Sequence, residues 1–137
     1  MPHEEFLARV PIFSACTPEE IAAIAAVAQE SFFDAGQIVV TQGTPGQAFY
    51  LVMEGTVEYS RDGSVLGTFG PGEFFGEMSL LDEAPRSATV RATGQTWCLM
   101  LSSWDFKALL MKKPEIAIKL LEVLSRRIRV SNERVGL

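Results

Sequence analysis

Glycine-containing turn signals recur at short intervals between residues 34 and 72, and they constrain the fold more than any other feature of the sequence. The segments between them are short and rich in β-branched and aromatic residues, which favour strands. One turn, Asp62-Gly63, lies between two alternating segments and predicts a tight hairpin. Many short strands joined by close turns imply an antiparallel sandwich, roll or barrel. The predicted strands cover residues 32–33, 38–40, 49–53, 56–59, 65–69, 88–90 and 96–101.

Helical periodicity flanks these strands on both sides. Thr17-Pro18-Glu19-Glu20 has the form of a capping box with proline at the first helical position, and the apolar repeat after it predicts a helix over residues 18–29. A weaker helical pattern covers residues 4–9. After the strands, a short helix is predicted to follow Ser103 and to be stopped by Lys112-Lys113-Pro114, and Pro114 opens another that runs to about residue 132. The predicted layout is helix, β-core and two helices.

The last predicted helix carries an apolar stripe and a basic cluster. The stripe either packs on the β-core or pairs with a partner helix, and it is too short to decide between them. The arginines at 126, 127 and 129 form a solvated basic face, or one of them reaches over a ligand pocket. The stripe consists of Ala117, Leu121, Leu124, Ile128, Ser131 and Val135.

Residues 72–90 combine groups that suit a small anion carrying hydroxyls. Gly76 allows close approach of the backbone and opens a predicted short helix over 77–81, whose first amides favour negative charge. Pro85 biases Ala84 towards an extended conformation, so Arg86 is predicted to begin a strand. Strict alternation then places Arg86, Ala88 and Val90 on one face. The sequence therefore predicts a fixed cation beside helix-start amides and a carboxylate.

Composition excludes several classes of protein. The net charge of −5 argues against a nucleic-acid-binding face, and no segment is apolar enough over 18 residues to predict a membrane span. The N-terminus lacks the order of a secretory signal. Cys16 and Cys98, far apart in sequence, are interpreted as reduced structural thiols in a cytoplasmic protein.

The chain also lacks the residues that catalysis on a β-roll requires. Its one histidine, His3, leaves no imidazole cluster for a metal site and no base for a serine or cysteine nucleophile. No phosphate-binding P-loop or hydrolase motif is present. We therefore predict no metal, no cofactor and no enzymatic activity.

The segments Phe75-Gly76-Glu77-Met78-Ser79-Leu80-Leu81 and Pro85-Arg86-Ser87-Ala88-Thr89-Val90 resemble the phosphate-binding cassette of the cyclic nucleotide-binding domain family. The resemblance extends from residue 11 to about residue 128. It implies a mainly β fold, an antiparallel eight-stranded β-roll (jelly roll) with an N-terminal helix and two C-terminal helices. The length favours one domain over 1–137, with helices in 1–30, the roll in 31–102, the cassette in 72–90 and helices in 103–133.

The resemblance assigns roles to residues of the cassette. Arg86 matches the arginine that pairs with the cyclic phosphate, and Glu77 matches the acid that accepts from the ribose 2′-hydroxyl. Gly76, Met78 and Ala88 match positions that contact the ligand mainly through backbone. Ser87 matches a position that contacts phosphate or base. Ser79 completes the predicted ligand-binding set, and Arg127 and Val130 are candidates for capping the base.

Ser87 bears on which nucleotide is bound. A hydroxyl here is compatible with either purine, and it can meet the exocyclic amine of guanine. Strict alternation turns Ser87 away from the Arg86 face, so cyclic AMP is predicted in preference to cyclic GMP.

The predicted function is a sensor in which ligand binding repositions the C-terminal helix. Its expected partner is a protein effector or a second copy bound through that helix, without direct contact to nucleic acid or membrane. No helix-turn-helix follows the last helix in these residues, and the chain is either a stand-alone sensor or a domain of a larger channel, kinase or transcription regulator. The alternative function is a ligand-independent interaction module that retains the fold.

Overall fold

A computed structural model describes residues 3–134 of the chain. Eight antiparallel strands form two four-stranded sheets, with helices at both ends of the sequence, and the predicted β-roll with flanking helices is confirmed. The helices are α1 (His3–Leu7), α2 (Pro18–Val27), α3 (Ser103–Lys112) and α4 (Pro114–Arg134). The strands are β1 (Gln29–Phe33), β2 (Ile38–Val40), β3 (Ala48–Glu54), β4 (Val57–Arg61), β5 (Ser64–Phe69), β6 (Phe74–Phe75), β7 (Thr89–Ala92) and β8 (Thr96–Ser102). Two 3₁₀ turns cover Pro11–Phe13 and Glu77–Leu80.

The two sheets have the strand orders β1-β8-β3-β6 and β2-β7-β4-β5. The predicted hairpin at Asp62-Gly63 joins β4 and β5, and both residues have the positive φ that such a turn requires, 52° and 82°. A small apolar cluster lies where the sheets face each other, and a larger one joins β3 and β8 to the helices. The inner cluster is built around Val52, Val57, Val90 and Cys98.

The start of α2 follows the sequence prediction, and its end does not. Thr17 and Glu20 form the predicted capping box, in which the Thr17 amide donates to Glu20 Oε1 at 2.8 Å. The prediction of a helix over 18–29 is wrong at its end, because Ala28 is already extended (ψ 152°) and β1 begins at Gln29. No glycine or proline marks this boundary. Backbone pairing of Gln29 with Met100 of β8 ends the helix instead.

The face of α4 that packs on the protein differs from the predicted stripe, for which packing on the β-core is one of the two stated alternatives. Ile116, Leu120 and Val123 are buried there, whereas Leu121 and Ile128 of the stripe are 62% and 60% exposed. Within the stripe, Leu124 packs against the core as a partly buried residue. Val135, the last member of the stripe, lies outside the described residues.

No helix among residues 3–134 combines the length and apolar character that crossing a membrane requires. Within the same residues, His, Cys, Asp and Glu side chains form no group of three or more that could hold a metal ion. Both cysteines are free, and burial raises the pKa of Cys98 to about 12. This thiol is therefore protonated inside the roll.

Candidate functional site

Gly76 lies next to the guanidinium of Arg86, and both residues belong to the segment 72–90. Its φ of 78° is left-handed, and it leads into the 3₁₀ turn Glu77–Leu80 rather than the predicted helix over 77–81. A Cβ at this position would collide with the guanidinium of Arg86 and would lie 2.9 Å from the carbonyl oxygen of Ala48. Both the conformation and the space therefore require glycine here.

Arg86 does not begin a strand, contrary to the sequence prediction. β7 starts at Thr89, so residues 86–88 precede it and the predicted alternation does not apply to them. The local pattern missed this because the Arg86 backbone pairs with the loop before β3. Its amide donates to the Thr44 carbonyl at 2.8 Å, and its carbonyl accepts from the Gly43 amide at 2.9 Å.

The guanidinium of Arg86 is half-buried and held by uncharged groups. Nη2 donates to the Ala48 carbonyl at 2.6 Å, and Nη1 donates to the Ser79 hydroxyl at 3.2 Å. Burial lowers the pKa of this arginine, and the neighbouring Tyr50 acts in the opposite direction. Among residues 3–134, no carboxylate lies within ion-pair distance of Arg86. The cation is thus partly removed from water without an anionic partner.

Glu77 pairs with the C-terminal helix. Its Oε1 accepts from Arg127 Nη1 at 3.0 Å, and its side chain is 17% exposed. The second oxygen, Oε2, is buried and has no hydrogen-bond partner within the described part of the chain. A buried carboxylate oxygen without a donor is costly, so this atom has an unfilled position for a hydrogen-bond donor.

The loop between β2 and β3 contacts residues 84–86 of the segment 72–90. From the sequence, this loop was predicted only as a turn. In addition to the bonds to Arg86, the Gly46 amide donates to the Ala84 carbonyl at 3.0 Å. Pro45 and Pro85 face each other in an isolated antiparallel bridge. The proline and glycine signals in both segments were visible in the sequence, but nothing local showed that the two segments pair.

Residues 75–79 and 84–88 line a cavity of about 450 Å³, a volume within the range of small-molecule sites. One wall is aromatic: Tyr59 stacks on Phe69 with ring centroids 4.5 Å apart, and Phe69 stacks on Phe75 at 5.7 Å. Arg61 at the end of β4 donates from Nε to the Ser87 carbonyl at 2.9 Å. Sequence reasoning missed this wall and Arg61, because both lie on strands that carry no ligand-site motif.

The structure brings most of the predicted site residues together. Arg127 contacts Glu77 but does not itself line the cavity. Val130 does not line the cavity either: it is 47% exposed and lies with Arg127 and Pro11 on a separate groove. The predicted residues that line the cavity are Gly76, Glu77, Met78, Ser79, Arg86, Ser87 and Ala88.

Among residues 3–134, the cavity thus brings together Arg86, which has no carboxylate partner, and Glu77, whose Oε2 has no hydrogen-bond donor. Residues 30–113 match the family model described as "Cyclic nucleotide-binding domain". The chain belongs to this family, and the resemblance noted in its sequence is confirmed.

Similar proteins include regulators of different architectures. The chain is 38% identical over 132 residues to the cyclic AMP receptor protein of Thermus thermophilus, covering 93% of this chain and 61% of the relative. It is 38% identical over 110 residues to a cAMP-dependent protein kinase regulatory subunit of Emericella nidulans, covering 79% and 27%. The crystal structure of the N-terminal domain of a transcriptional regulator from Streptomyces coelicolor superposes with a TM-score of 0.87 at 34% identity, covering 93% and 95%. The chain thus spans less than two thirds of the two full-length relatives.

Proposed function

We propose that this chain is a sensor module whose cavity binds a cyclic nucleotide, with cyclic AMP preferred over cyclic GMP. The observation that carries the proposal is a pair of groups in one cavity that are incompletely satisfied among residues 3–134: a half-buried arginine without a carboxylate, and the buried Glu77 Oε2 without a donor. A cyclic nucleotide supplies an anionic phosphate and a ribose hydroxyl in a single molecule. Mutual neutralisation of Arg86 and Glu77 is a weaker account, since Glu77 pairs with Arg127 instead.

In this proposal the guanidinium of Arg86 binds the cyclic phosphate, and Glu77 accepts a hydrogen bond from the ribose 2′-hydroxyl. Gly76, Met78 and Ala88 contact the ligand through backbone groups, and Ser87 contacts the phosphate or the base. Residues 1–137 act as one regulatory domain with no catalytic activity of its own. A cytoplasmic location stays a prediction.

The preference for cyclic AMP no longer rests on the alternation of side chains that the sequence predicted around Ser87. Ser87 and Arg86 both line the cavity, and residues 86–88 are not in a strand, so alternation no longer argues against contact between Ser87 and a base. The support is instead that the two full-length relatives compared above are named for cyclic AMP. Calorimetric titration of both nucleotides tests the preference, and tighter binding of cyclic GMP reverses it.

We further propose that the ligand repositions α4. The Arg127–Glu77 ion pair supports this, because it joins α4 to the residue proposed to bind the ribose. The ligand shifts the helix only if it binds one arrangement of this contact better than another. Hydrogen exchange of residues 114–132 is expected to slow when cyclic nucleotide binds, and unchanged exchange there counts against the helix movement.

The exposed apolar side chains of α4 favour a partner helix, either from an effector or from a second copy. Ile118, Leu121 and Ile128 are 58%, 62% and 60% exposed. The same observation supports the second candidate function, a ligand-independent interaction module. Mass spectrometry of the denatured protein separates the two candidates, because only the sensor is expected to copurify with nucleotide.

A thermal-shift panel tests the primary proposal directly. A ligand that binds only the folded state raises the melting temperature, so cyclic AMP is expected to give the largest shift, cyclic GMP a smaller one and AMP the smallest. A panel in which neither cyclic nucleotide raises the melting temperature overturns the sensor function.

A further inference from the structure

Ser79 holds a position between the arginine of the site and the loop before β3. The residue is 9% exposed, and its hydroxyl oxygen accepts a hydrogen bond from Arg86 Nη1 at 3.2 Å. Nη2 of the same guanidinium donates to the Ala48 carbonyl at 2.6 Å. Two bonds to two different nitrogens define the plane of the guanidinium, which a single bond leaves free to rotate.

Gly46 provides the space that the Ser79 hydroxyl occupies. Its φ is not positive, so the backbone conformation alone does not require glycine. A Cβ at this position, however, would collide with Ser79 Oγ and would lie 3.1 Å from both Ser79 Cβ and the Ala84 carbonyl oxygen. The close approach is fixed by the Gly46 amide, which donates to the Ala84 carbonyl at 3.0 Å.

Orientation matters for arginine more than for lysine, because its donors form a planar fork that matches the oxygens of a phosphate only in certain planes. We infer that Ser79 is a positioning residue, which presents the Arg86 fork to the anion, and that Gly46 is required to leave room for its hydroxyl. This inference rests on the proposed function and gives Ser79 a role through its side chain that residue matching alone did not assign.

The first experiment measures cyclic AMP affinity by calorimetry for Ser79→Ala, Gly46→Ala and the double variant. Loss of one hydrogen bond predicts an affinity for Ser79→Ala roughly three- to tenfold weaker. Gly46→Ala displaces the hydroxyl and is expected to weaken binding at least as much. In the double variant the colliding oxygen is absent, so adding Gly46→Ala to Ser79→Ala is expected to cost less than it costs in the unmodified chain.

Two control variants match these changes. Gly94 has no positive φ and no atom within 4 Å of an added Cβ, so Gly94→Ala tests glycine replacement alone. Ser64, exposed on β5, provides Ser64→Ala. Both controls are expected to keep the affinity of the unmodified chain. Additive losses in the double variant would show that Gly46 does not act through the Ser79 hydroxyl and would overturn that part of the inference.

A second cycle separates positioning from a purely structural role and needs no variant of Gly46. In an Arg86→Ala background, Ser79→Ala is expected to cause no further loss of affinity, because the group that it orients is gone. An equal loss with and without Arg86 overturns the inference, as does unchanged affinity of Ser79→Ala in the otherwise unmodified chain. Failure of the proposed function has a different signature, since the unmodified chain itself then binds neither cyclic nucleotide.

Discussion

Two carboxylates, Glu20 and Glu77, each bind a cation from α4, and their surroundings differ. Glu20 accepts from Lys119 and from the Thr17 amide within the capping box, and the bond to Lys119 is the main reason why its pKa is lowered. Glu77 accepts from Arg127 through one oxygen, and its other oxygen is buried without a donor in the described structure.

The difference between the two carboxylates indicates which contact of α4, Lys119–Glu20 or Arg127–Glu77, we expect to respond to a ligand. Both donors to Glu20 bind its Oε1, and within the described residues its Oε2 is not among the buried atoms that lack a partner, so no buried oxygen is left unsatisfied there. Within the described part of the chain, Glu77 Oε2 lacks a donor, and Arg86, which lines the same cavity, lacks an anion. We therefore interpret the Lys119 contact as an anchor and the Arg127 contact as the ligand-sensitive one.

The largest expected effect comes from Arg86→Ala, which removes the cation of the incomplete cluster. Hydrogen bonds to charged groups contribute about 1.5–3 kcal/mol, so cyclic nucleotide affinity should fall by at least roughly an order of magnitude. Calorimetry measures the affinity, and circular dichroism checks that the fold is intact. Arg91→Ala is the matched control, since Arg91 is exposed on β7 and its side chain donates, among residues 3–134, only to the Gly36 carbonyl. Equal affinity of Arg86→Ala and Arg91→Ala would remove Arg86 from the site.

Glu77→Gln and Glu20→Gln test the comparison between the carboxylates. Glutamine keeps the shape and removes the charge, so Glu77→Gln is expected to weaken cyclic nucleotide binding about tenfold, by the loss of a charge-assisted hydrogen bond. Glu20→Gln should leave the affinity unchanged. Isothermal titration of the two variants side by side decides the matter, and a similar loss in both contradicts the assignment of separate roles.

Removal of the two cations extends the comparison to α4. In Arg127→Ala, ligand binding is expected to slow hydrogen exchange of residues 125–134 less than it does in the unmodified chain, because the contact that transmits binding is absent. Lys119→Ala should retain the full ligand-dependent slowing. Mass spectrometry measures hydrogen exchange with and without cyclic AMP. If Lys119→Ala reduces the slowing and Arg127→Ala does not, the Lys119 contact is the ligand-sensitive one and the Arg127 contact is the anchor.

The smallest expected effect is on stability and depends on pH. The pKa of Glu20 is lowered in the folded state, so its charged form stabilises the fold above its unfolded pKa of about 4.3, and this contribution is lost as the pH falls through the folded value. Glu20→Gln should therefore lower the free energy of unfolding at pH 7, by up to about 1 kcal/mol for a pair of this kind, and by less at pH 4. Urea denaturation at both pH values measures the difference. A loss that does not shrink at pH 4 would show that the charge is not responsible.

Much of the fold follows from local signals in the sequence. The capping box at Thr17 and the Asp62-Gly63 hairpin formed as predicted, because each depends on residues close together in the chain. The end of α2 was mispredicted for the opposite reason, since pairing of β1 with the distant β8 decides it.

In the candidate site, too, the residues of one local motif were predictable and the long-range contacts were not. Gly76, Glu77 and Arg86 could be identified because they lie within one continuous motif. Their geometry could not, since Arg86 is placed by backbone bonds from Gly43 and Thr44 and by contacts to Ala48. The pairing of Arg127 with Glu77 likewise depends on how α4 packs, and the stripe on that helix left open which face packs on the β-core.

The position of β8 in its sheet has a consequence for how the chain folds. Among residues 3–134, β8 is the last strand in the sequence, yet it lies between β1, the first of these strands, and β3. Until Ser102 has emerged from the ribosome, both of these strands lack a neighbour on that side, and their edges are open to mispairing. Pairs as distant in sequence as Gln29 and Met100 also make loop closure costly, which slows folding. We therefore expect the roll to assemble late, after β8 is complete, and chains truncated before Thr96 to aggregate.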